Sequence, residues 1–286
     1  MKGWRFATSD EKVPGENVTP DPIHKDFSHL RNIYFDVEPE YTGRFTVPTL
    51  YDIKQKKIVS NESSEIIRMF YTEFDDLLPD EYRKIDLFPE NLRAEIEGAN
   101  DWTYNDINNG VYKSGFATTQ EAYEKAVKTL FASLDRAEEH LAKNAGPFYF
   151  GEHITEADVR LYTTIVRFDP VYVQHFKCNI RDIRSGYPAL HEWLRTLYWD
   201  VPAFGETTQF EHIKNHYTKS HKQINPYVSR SPPLSLSQYL GRVEANQVAD
   251  QVHSTQSVTP VGPCPDVLPK NEEVPAAAAA WRSTKQ

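Results

Sequence analysis

Side chains able to do nucleophilic or acid–base chemistry are few and widely spaced in this chain of 286 residues. The two cysteines, Cys178 and Cys264, stand far apart, so they predict neither a disulfide framework nor a zinc cluster. Because a free buried cysteine usually packs as a small apolar residue, we do not expect Cys178 to be a nucleophile. His216 and His221 could titrate near neutral pH, but the sequence assigns them no partner.

A proline interrupts the strand-like stretch RFTVPTLYD, which runs from Arg44 to Asp52. Proline has no backbone N–H and is normally confined to edge strands, strand starts or bulges. Two interpretations are open from the residues alone. The stretch is either an edge strand that begins at an ordinary trans proline, or the site of a cis Val47–Pro48 bond, which is rare and usually has a purpose.

The elements around this proline follow the order strand, turn, strand, helix. The stretches FTVPTLYDI and IVSN are typical of two strands, and KQKK between them is typical of a turn. SSEIIRMFYTEFDDLL has apolar residues at helical spacing, with Ser63 or Ser64 as its N-cap and Glu65 in the first turn. LRNIYFDVEP, before the first strand, predicts a short helix.

Helical patterns dominate the chain from the linker PDEYRKIDLFPENL onward. NLRAEIEGANDWTYNDINNGVYKSGFA predicts one amphipathic helix and its exit. TTQEAYEKAVKTLFASLDRAEEHLAKN predicts a longer one, with a capping box at Thr118 and Glu121. Three more helices are predicted at TEADVRLYTTIVRF, YPALHEWLRTLYW and FEHIKNHYTKSH. Thr155, three residues before Asp158, predicts a structural capping box for the first of these three.

These patterns predict an α+β chain with a small mixed domain at 1–80, an all-helical domain at 81–228 and a tail at 229–286. The tail is rich in Pro, Ser and Ala and poor in aromatics, a composition typical of disorder. Aromatic residues make up 13% of the whole chain, which is enough to build a buried core.

Composition also argues against several kinds of partner. The formal net charge is −9 and no basic stripe is visible, so nucleic acid is not expected to be the main partner. No apolar run approaches the ~18–20 residues of a membrane span. The first residues do not resemble a signal peptide. We therefore expect a cytoplasmic protein that has no membrane segment.

Several stretches, taken in order along the chain, resemble one family. TVPTLYD, its hairpin and NESSEIIRMF are similar to the second half of a thioredoxin-like domain as glutathione transferases use it. GEHITEADVRLYTTIVRFD resembles the helix that anchors the C-terminal domain of these transferases. NNGVYKSGFA, RFDPVYVQHFKCNI and HIKNHYTKSHKQINP together resemble the glutathionyl-hydroquinone reductases, which are the Xi class of glutathione transferases and relatives of the omega class. The resemblance covers roughly residues 1–227. It implies a partial thioredoxin-like domain followed by an all-α transferase domain.

The resemblance implies a glutathione site in the first domain. The Val47–Pro48 bond would be cis, and the N–H and C=O of Val47 would pair with the cysteinyl part of glutathione as an added strand does. Ser63 and the free N–H groups at the start of its helix would hold the γ-glutamyl carboxylate, and Glu62 would bind the ammonium. The alternative for this pair is a plain helix cap with an exposed acid.

Two further residues complete the implied glutathione site. Arg44 would offer its guanidinium to a glutathione carboxylate, and Trp4 would border the bound peptide. The alternatives are a solvated strand end for Arg44 and an ordinary packing residue for Trp4.

A second, aromatic site is implied for the helical domain. Tyr112 would lie beside the aromatic substrate as proton donor or acceptor, and Tyr172 and Tyr217 would complete a phenolic cluster. Phenols can hydrogen-bond a quinone oxygen and also a thiolate, which favours the ionised sulfur. The implied ligands are glutathione, as co-substrate, and an aromatic quinone or hydroquinone conjugate. No metal is implied, and the family resemblance points to a homodimer.

The implied reaction needs a thiolate. A cysteine attacks the sulfur of a glutathionyl-hydroquinone, forms a mixed disulfide and releases hydroquinone, and a second glutathione resolves the disulfide. The family carries this cysteine in a Cys-Pro-Trp-Ala type motif, which this sequence lacks. Either the chain is a fragment of a longer enzyme, which we favour, or it is a truncated protein without redox chemistry. We expect this chain to be inactive by itself. The alternative function is that of a non-catalytic glutathione- or quinone-binding protein or a docking protein.

Overall fold

The computed structural model describes residues 4–7, 21, 23–221 and 223–224. The predicted disordered tail at 229–286, and Cys264 within it, lie outside the described residues. The chain divides into two units, Met1–Asp86 and Leu87–Gln286, each with its own architecture.

The first unit is built around a short antiparallel hairpin. Strand β1 (Leu50–Asp52) pairs with β2 (Lys57–Ser60), so that Tyr51 lies opposite Ile58. The unit's helices are α1 (Leu30–Val37), α2 (Ser63–Thr72) and α3 (Asp80–Arg83). The order strand, turn, strand, helix is as predicted. However, β1 begins only after Pro48, because a proline has no N–H to give to the strand ladder.

The described part of the second unit is mainly helical. Its α-helices are α4 (Arg93–Trp102), α5 (Gly110–Gly115), α6 (Gln120–Lys143), α7 (Glu156–Arg167), α8 (Val173–His175), α9 (Ile183–Gly186), α10 (Pro188–Asp200), α11 (Pro202–Gly205) and α12 (Phe210–Ser220). Two π-helical segments lie between them. The first π segment is Thr103–Asn108, before α5, and the second is Phe168–Tyr172, between α7 and α8.

Three local predictions need correction. The single amphipathic helix expected from the stretch that begins NLRAEIEG is divided by the first π segment into α4 and α5. The N-cap of α6 is Thr119 instead of Thr118, and its side chain accepts from the Ala122 N–H at 3.2 Å. The N-cap of α2 is Glu62, so Ser63 is the first helical residue. In the second and third cases neighbouring residues could each cap the start of the helix, and the sequence does not rank them.

Helix α6 contributes much of the core of the second unit. Its buried face has the predicted helical spacing and consists of Val127, Leu130, Phe131, Leu134, Ala137 and Leu141. The predicted capping box of α7 is confirmed, and the cap residue Asp158 does more than cap. Its carboxylate also accepts from the Tyr149 N–H at 2.7 Å and from Trp193 Nε1 of α10 at 2.8 Å. One buried acid therefore joins the start of α7 to the preceding loop and to α10.

Among the residues described, no helix is both long and apolar enough to cross a membrane. The same residues contain no group of three or more His, Cys, Asp or Glu side chains placed to hold a metal ion.

Candidate functional site

Candidate residues occur as two sets, one in each unit. In the first unit, the Val47–Pro48 peptide bond is cis, as expected from the resemblance. Val47 is 49% exposed, which leaves it accessible to a ligand directly before β1. Pro48 is exposed as well.

Tyr34 of α1 fixes the backbone in front of this bond. Its side chain is buried, and its hydroxyl donates to the Thr46 carbonyl at 2.9 Å. Thr49 Oγ1 donates to the same carbonyl at 2.8 Å, and Asn61 Nδ2 donates to Thr46 Oγ1 at 3.1 Å. One side chain from α1 and two from loops therefore hold the residue before Val47 in place. Sequence reasoning missed this support. Tyr34 lies one turn after buried Leu30, a spacing that predicts burial but not the hydrogen-bond partner.

The start of α2 presents the other expected glutathione contacts to solvent. Glu62 and Ser63 are both exposed at the helix N-terminus, where free backbone N–H groups favour a carboxylate. The Glu62 N–H donates to Ser60 Oγ at 3.1 Å, and that hydroxyl donates to Glu65 Oε2 at 2.8 Å. These bonds order the first turn and leave the Glu62 and Ser63 side chains accessible.

The remaining two glutathione candidates are accessible too. Arg44 is exposed, and its carbonyl accepts from the Tyr41 hydroxyl at 3.1 Å. Trp4 is 53% exposed. Its backbone is held because its carbonyl accepts from the Leu30 N–H at 3.0 Å.

In the second unit the three expected tyrosines meet at their hydroxyl groups. The Tyr217 hydroxyl lies 2.6 Å from that of Tyr112 and 2.8 Å from that of Tyr172. Tyr217 is therefore the central member, and we call these three residues the tyrosine triad. Tyr172 and Tyr217 are buried, whereas Tyr112 is 37% exposed and is the member that solvent or a ligand can reach.

The two π-helical segments each lead directly to a triad residue. Tyr112 follows the first π segment by one turn in α5, and Tyr172 is the last residue of the second. A π-helical turn adds a residue to the ordinary helical turn and so rotates everything that follows it about the helix axis. The segments thus set the direction in which Tyr112 and Tyr172 leave their helices.

Side-chain hydrogen bonds hold both π segments. Asn108 Nδ2 donates to the Arg160 carbonyl and to Thr164 Oγ1 of α7, each at 2.9 Å. Asp169 accepts from the Ile183 N–H at 2.7 Å and from the Arg184 N–H at 3.1 Å. Burial raises the pKa of Asp169 to about 6, against the opposing effect of these two N–H groups. Sequence reasoning missed both residues, because partners so far apart in the chain leave no spacing pattern.

Burial also sets the protonation state of the triad. It raises the pKa of Tyr172 well above the ordinary phenol value, and the neighbouring hydroxyls of Tyr217 and Tyr112 add to this. Burial followed by the proximity of Tyr112 likewise raises the pKa of Tyr217. The two buried phenols therefore stay neutral at physiological pH and act as a hydrogen-bonded donor network.

Cys178 is near the triad in sequence but cannot supply a thiolate. It is fully buried, and its Sγ lies 3.8 Å from the Phe176 carbonyl. Burial raises the pKa of this thiol to about 12. Its backbone has a structural role, since its N–H donates to the Tyr172 carbonyl at 3.0 Å.

Comparisons with known proteins show the family of the chain. The family described as glutathione S-transferase, C-terminal domain, matches residues 120–196. Glutathione S-transferase omega-like 2 of Schizosaccharomyces pombe is 56% identical over 225 residues, which are 78% of this chain and 70% of the relative. Glutathionyl-hydroquinone reductase YqjG of Escherichia coli is 47% identical over 242 residues, which are 84% of this chain and 70% of that protein.

Solved structures give the same result. The crystal structure of glutathione S-transferase Xi from Phanerochaete chrysosporium matches with a TM-score of 0.74 at 54% identity, over 82% of this chain and 77% of that one. The glutathione-bound structure of YqjG matches with a TM-score of 0.71 at 47% identity, over 82% of this chain and 72% of that one. At this level of identity and coverage, the chain belongs to the Xi-class, omega-like glutathione transferases, the family that contains the glutathionyl-hydroquinone reductases.

Proposed function

We propose that this protein serves the glutathione-dependent reductive deglutathionylation of glutathionyl-hydroquinones. The observation that carries the proposal is the tyrosine triad, in which two buried phenols support a third that is accessible. Such a network can bind the oxygens of an aromatic diol or quinone and can deliver a proton. The YqjG relative is a glutathionyl-hydroquinone reductase by name, which supports the same substrate class for this chain.

The glutathione half of the substrate is assigned to the first unit. The accessible backbone of Val47 pairs with the cysteinyl part, and the N-terminus of α2, with Glu62 and Ser63, takes the γ-glutamyl end. Arg44 binds a carboxylate of the peptide, and Trp4 borders it. Support comes from the exposure of all of these side chains and from the glutathione bound in the YqjG structure.

The triad acts on the leaving hydroquinone. A thiolate attacks the glutathionyl sulfur, the bond from that sulfur to the ring breaks, and its electron pair passes to the ring. The ring then takes up a proton, which Tyr112 is placed to give because it is the accessible member. Tyr217 and Tyr172 stabilise the phenolate that this transfer leaves, since both keep their protons. A second glutathione gives its thiol proton to Tyr112 and, as a thiolate, attacks the mixed disulfide, which releases glutathione disulfide and restores the first thiolate. This chemistry requires the reducing glutathione pool of the cytoplasm.

This chain by itself contains no cysteine suited to be the nucleophile. Cys178 is buried with a raised pKa, and neither Cys178 nor Cys264 lies in a Cys-Pro-Trp-Ala type motif. We expect the 286-residue chain to release no hydroquinone from glutathionyl-hydroquinone in the presence of glutathione. Thiol-dependent turnover that survives Cys178→Ser combined with Cys264→Ser would contradict this assignment of the nucleophile.

A second candidate function is that of a non-catalytic glutathione- or quinone-binding protein, and for either function we propose a homodimer. The inert Cys178 beside an ordered triad favours it. Isothermal titration calorimetry with glutathione shows whether the chain binds this ligand at all. Binding of glutathione without turnover supports the binding protein, and absence of binding contradicts both candidates.

A further inference from the structure

A pair of histidines lies directly beside the tyrosine triad. His175 Nε2 and His221 Nδ1 are 3.0 Å apart, within hydrogen-bond distance, and their rings stack with centroids 5.2 Å apart. His175 is in α8, immediately after the second π segment, and His221 is the C-cap of α12. The bond therefore joins the segment that carries Tyr172 to the helix that carries Tyr217.

The α8 side of this pair is held independently of α12. The Cys178 N–H donates to the Tyr172 carbonyl, and the Tyr123 hydroxyl of α6 donates to the Lys177 carbonyl at 2.7 Å. Asp169 ties the start of the second π segment to α9. Because these bonds fix the His175 side, making or breaking the histidine bond changes the position of the last turn of α12.

His221 completes an aromatic enclosure around Tyr217. Its ring stacks on Phe176 with centroids 5.7 Å apart and meets the Tyr217 ring edge-on at 5.5 Å. Phe116, the C-cap of α5, meets the His221 ring edge-on, with centroids 5.1 Å apart. A shift of His221 would thus disturb the ring of Tyr217 and, through it, both hydroxyl contacts of the triad.

We propose that His175 and His221 are positioning residues whose mutual hydrogen bond docks the end of α12 and so holds Tyr217 between Tyr112 and Tyr172. This inference rests on the proposed function only in taking the triad as the aromatic site. The docking itself is measured without any ligand, so failure of the docking and failure of the function are distinguishable.

Protonation should open this contact. A bond between two imidazoles needs one ring nitrogen as acceptor, so it cannot form when both rings are imidazolium. The titratable rings that contact the pair are those of His216 and Tyr217 of α12. Arg167, at the end of α7, is a cation that acts on His216 and Tyr217.

These surroundings oppose a positive charge on His221 of the pair and on the neighbouring His216. Burial, followed by the charge of His216, lowers the pKa of His221, and burial followed by Arg167 lowers that of His216. A histidine whose pKa is lowered in the folded state favours that state above its unfolded pKa of about 6.5, and this advantage is lost as the pH falls. The docked arrangement is therefore expected at neutral pH and weakens below about pH 6.5.

The test separates the hydrogen bond from the titration. His175→Gln places an amide group near the position of Nε2, and His221→Asn places one near the position of Nδ1, so that the NH2 of one amide can donate to the oxygen of the other. The double variant can therefore keep the bond without titrating. His221→Ala removes the bond, and His212→Asn, an exposed histidine on the same helix, is the matched control. Amide hydrogen exchange in residues 210–220 and near-UV circular dichroism of the tyrosines are measured from pH 7.5 to 5 on the full chain.

In His221→Ala we expect the exchange rate of α12, divided by the intrinsic amide rate at the same pH, to rise about fivefold at pH 7.5, the factor set by one hydrogen bond of about 1 kcal/mol. The wild type and His212→Asn should show the same rise in this ratio only on acidification, and the Gln/Asn pair should show none at either pH. Binding of glutathionyl-hydroquinone should weaken in parallel. Unchanged exchange in His221→Ala, or an acid transition that persists in the Gln/Asn pair, would overturn the proposal. Weakened docking without any ligand binding would support it and contradict the proposed function alone.

Discussion

Replacing Tyr217 by phenylalanine removes one oxygen atom from the centre of the triad and leaves the ring packing in place. The lost hydroxyl makes two hydrogen bonds, at 2.6 Å to Tyr112 and 2.8 Å to Tyr172. Each is worth about 1 kcal/mol net, and a buried hydroxyl left without a partner costs about 1–3 kcal/mol. Tyr172 is 2% exposed and cannot turn to water, whereas Tyr112 can. The variant should therefore lower the free energy of unfolding by about 2–3 kcal/mol.

Variants of the other two triad tyrosines, and of an exposed tyrosine, are compared with Tyr217→Phe. Tyr112→Phe removes one bond and leaves Tyr217 paired with Tyr172, so it should cost about 1 kcal/mol. Tyr172→Phe removes the most buried hydroxyl together with its single triad bond, and it should lower the free energy of unfolding by no more than Tyr112→Phe does. Adding Tyr172→Phe to Tyr217→Phe should add little further loss, because the stranded hydroxyl disappears. Tyr104→Phe, at a tyrosine that is 50% exposed, is the control and should change stability by less than about 0.5 kcal/mol.

Urea unfolding followed by far-ultraviolet circular dichroism measures these differences, provided that the m-value is unchanged. If Tyr217→Phe cost no more than Tyr112→Phe, the hydroxyl of Tyr217 would not be the centre of the network and the reasoning would be refuted.

Two other predictions concern buried groups of the second unit. Burial, followed by the charge of Arg195, lowers the pKa of His191 to about 4, so only the unfolded chain binds this proton between pH 6.5 and 4. The free energy of unfolding should thus fall by up to about 3 kcal/mol over that range, and His191→Gln should flatten the dependence in urea titrations run at several pH values. Asp158→Ala strands the Tyr149 N–H and Trp193 Nε1, both now bonded to the carboxylate, and should cost about 3–5 kcal/mol by urea unfolding. A loss below about 1 kcal/mol would contradict the bridging role of Asp158.

Local patterns predicted the long helices well because each buries one face. The buried residues of α6 recur at the expected helical spacing, and Thr155 with Asp158 marks the start of α7 as predicted. At the start of α6, Thr118 and Thr119 could each be the N-cap, and the prediction of Thr118 was wrong. The π segments were missed because their hydrogen-bond pattern has no distinctive spacing of apolar residues.

The candidate site could be predicted only through the family resemblance. Tyr112, Tyr172 and Tyr217 come from three separate elements, and no periodicity indicates that their hydroxyls meet. The cis Val47–Pro48 bond was likewise one of two interpretations until the resemblance favoured it. The supports of both sets, such as Tyr34 and the His175–His221 pair, depend on tertiary packing, so neither the residues nor the resemblance pointed to them.

The central claim, that the triad receives the aromatic part of a glutathionyl-hydroquinone, is tested most directly by isothermal titration calorimetry. The conjugate is titrated into the wild type, Tyr112→Phe and the exposed-tyrosine control Tyr104→Phe, with catalysis excluded by product analysis. We predict a wild-type dissociation constant between about 1 μM and 1 mM, the range typical of enzyme substrates. Binding should weaken about tenfold in Tyr112→Phe, equivalent to about 1.4 kcal/mol, and stay unchanged in Tyr104→Phe. Equal binding by all three proteins, or no binding by the wild type, would contradict the account.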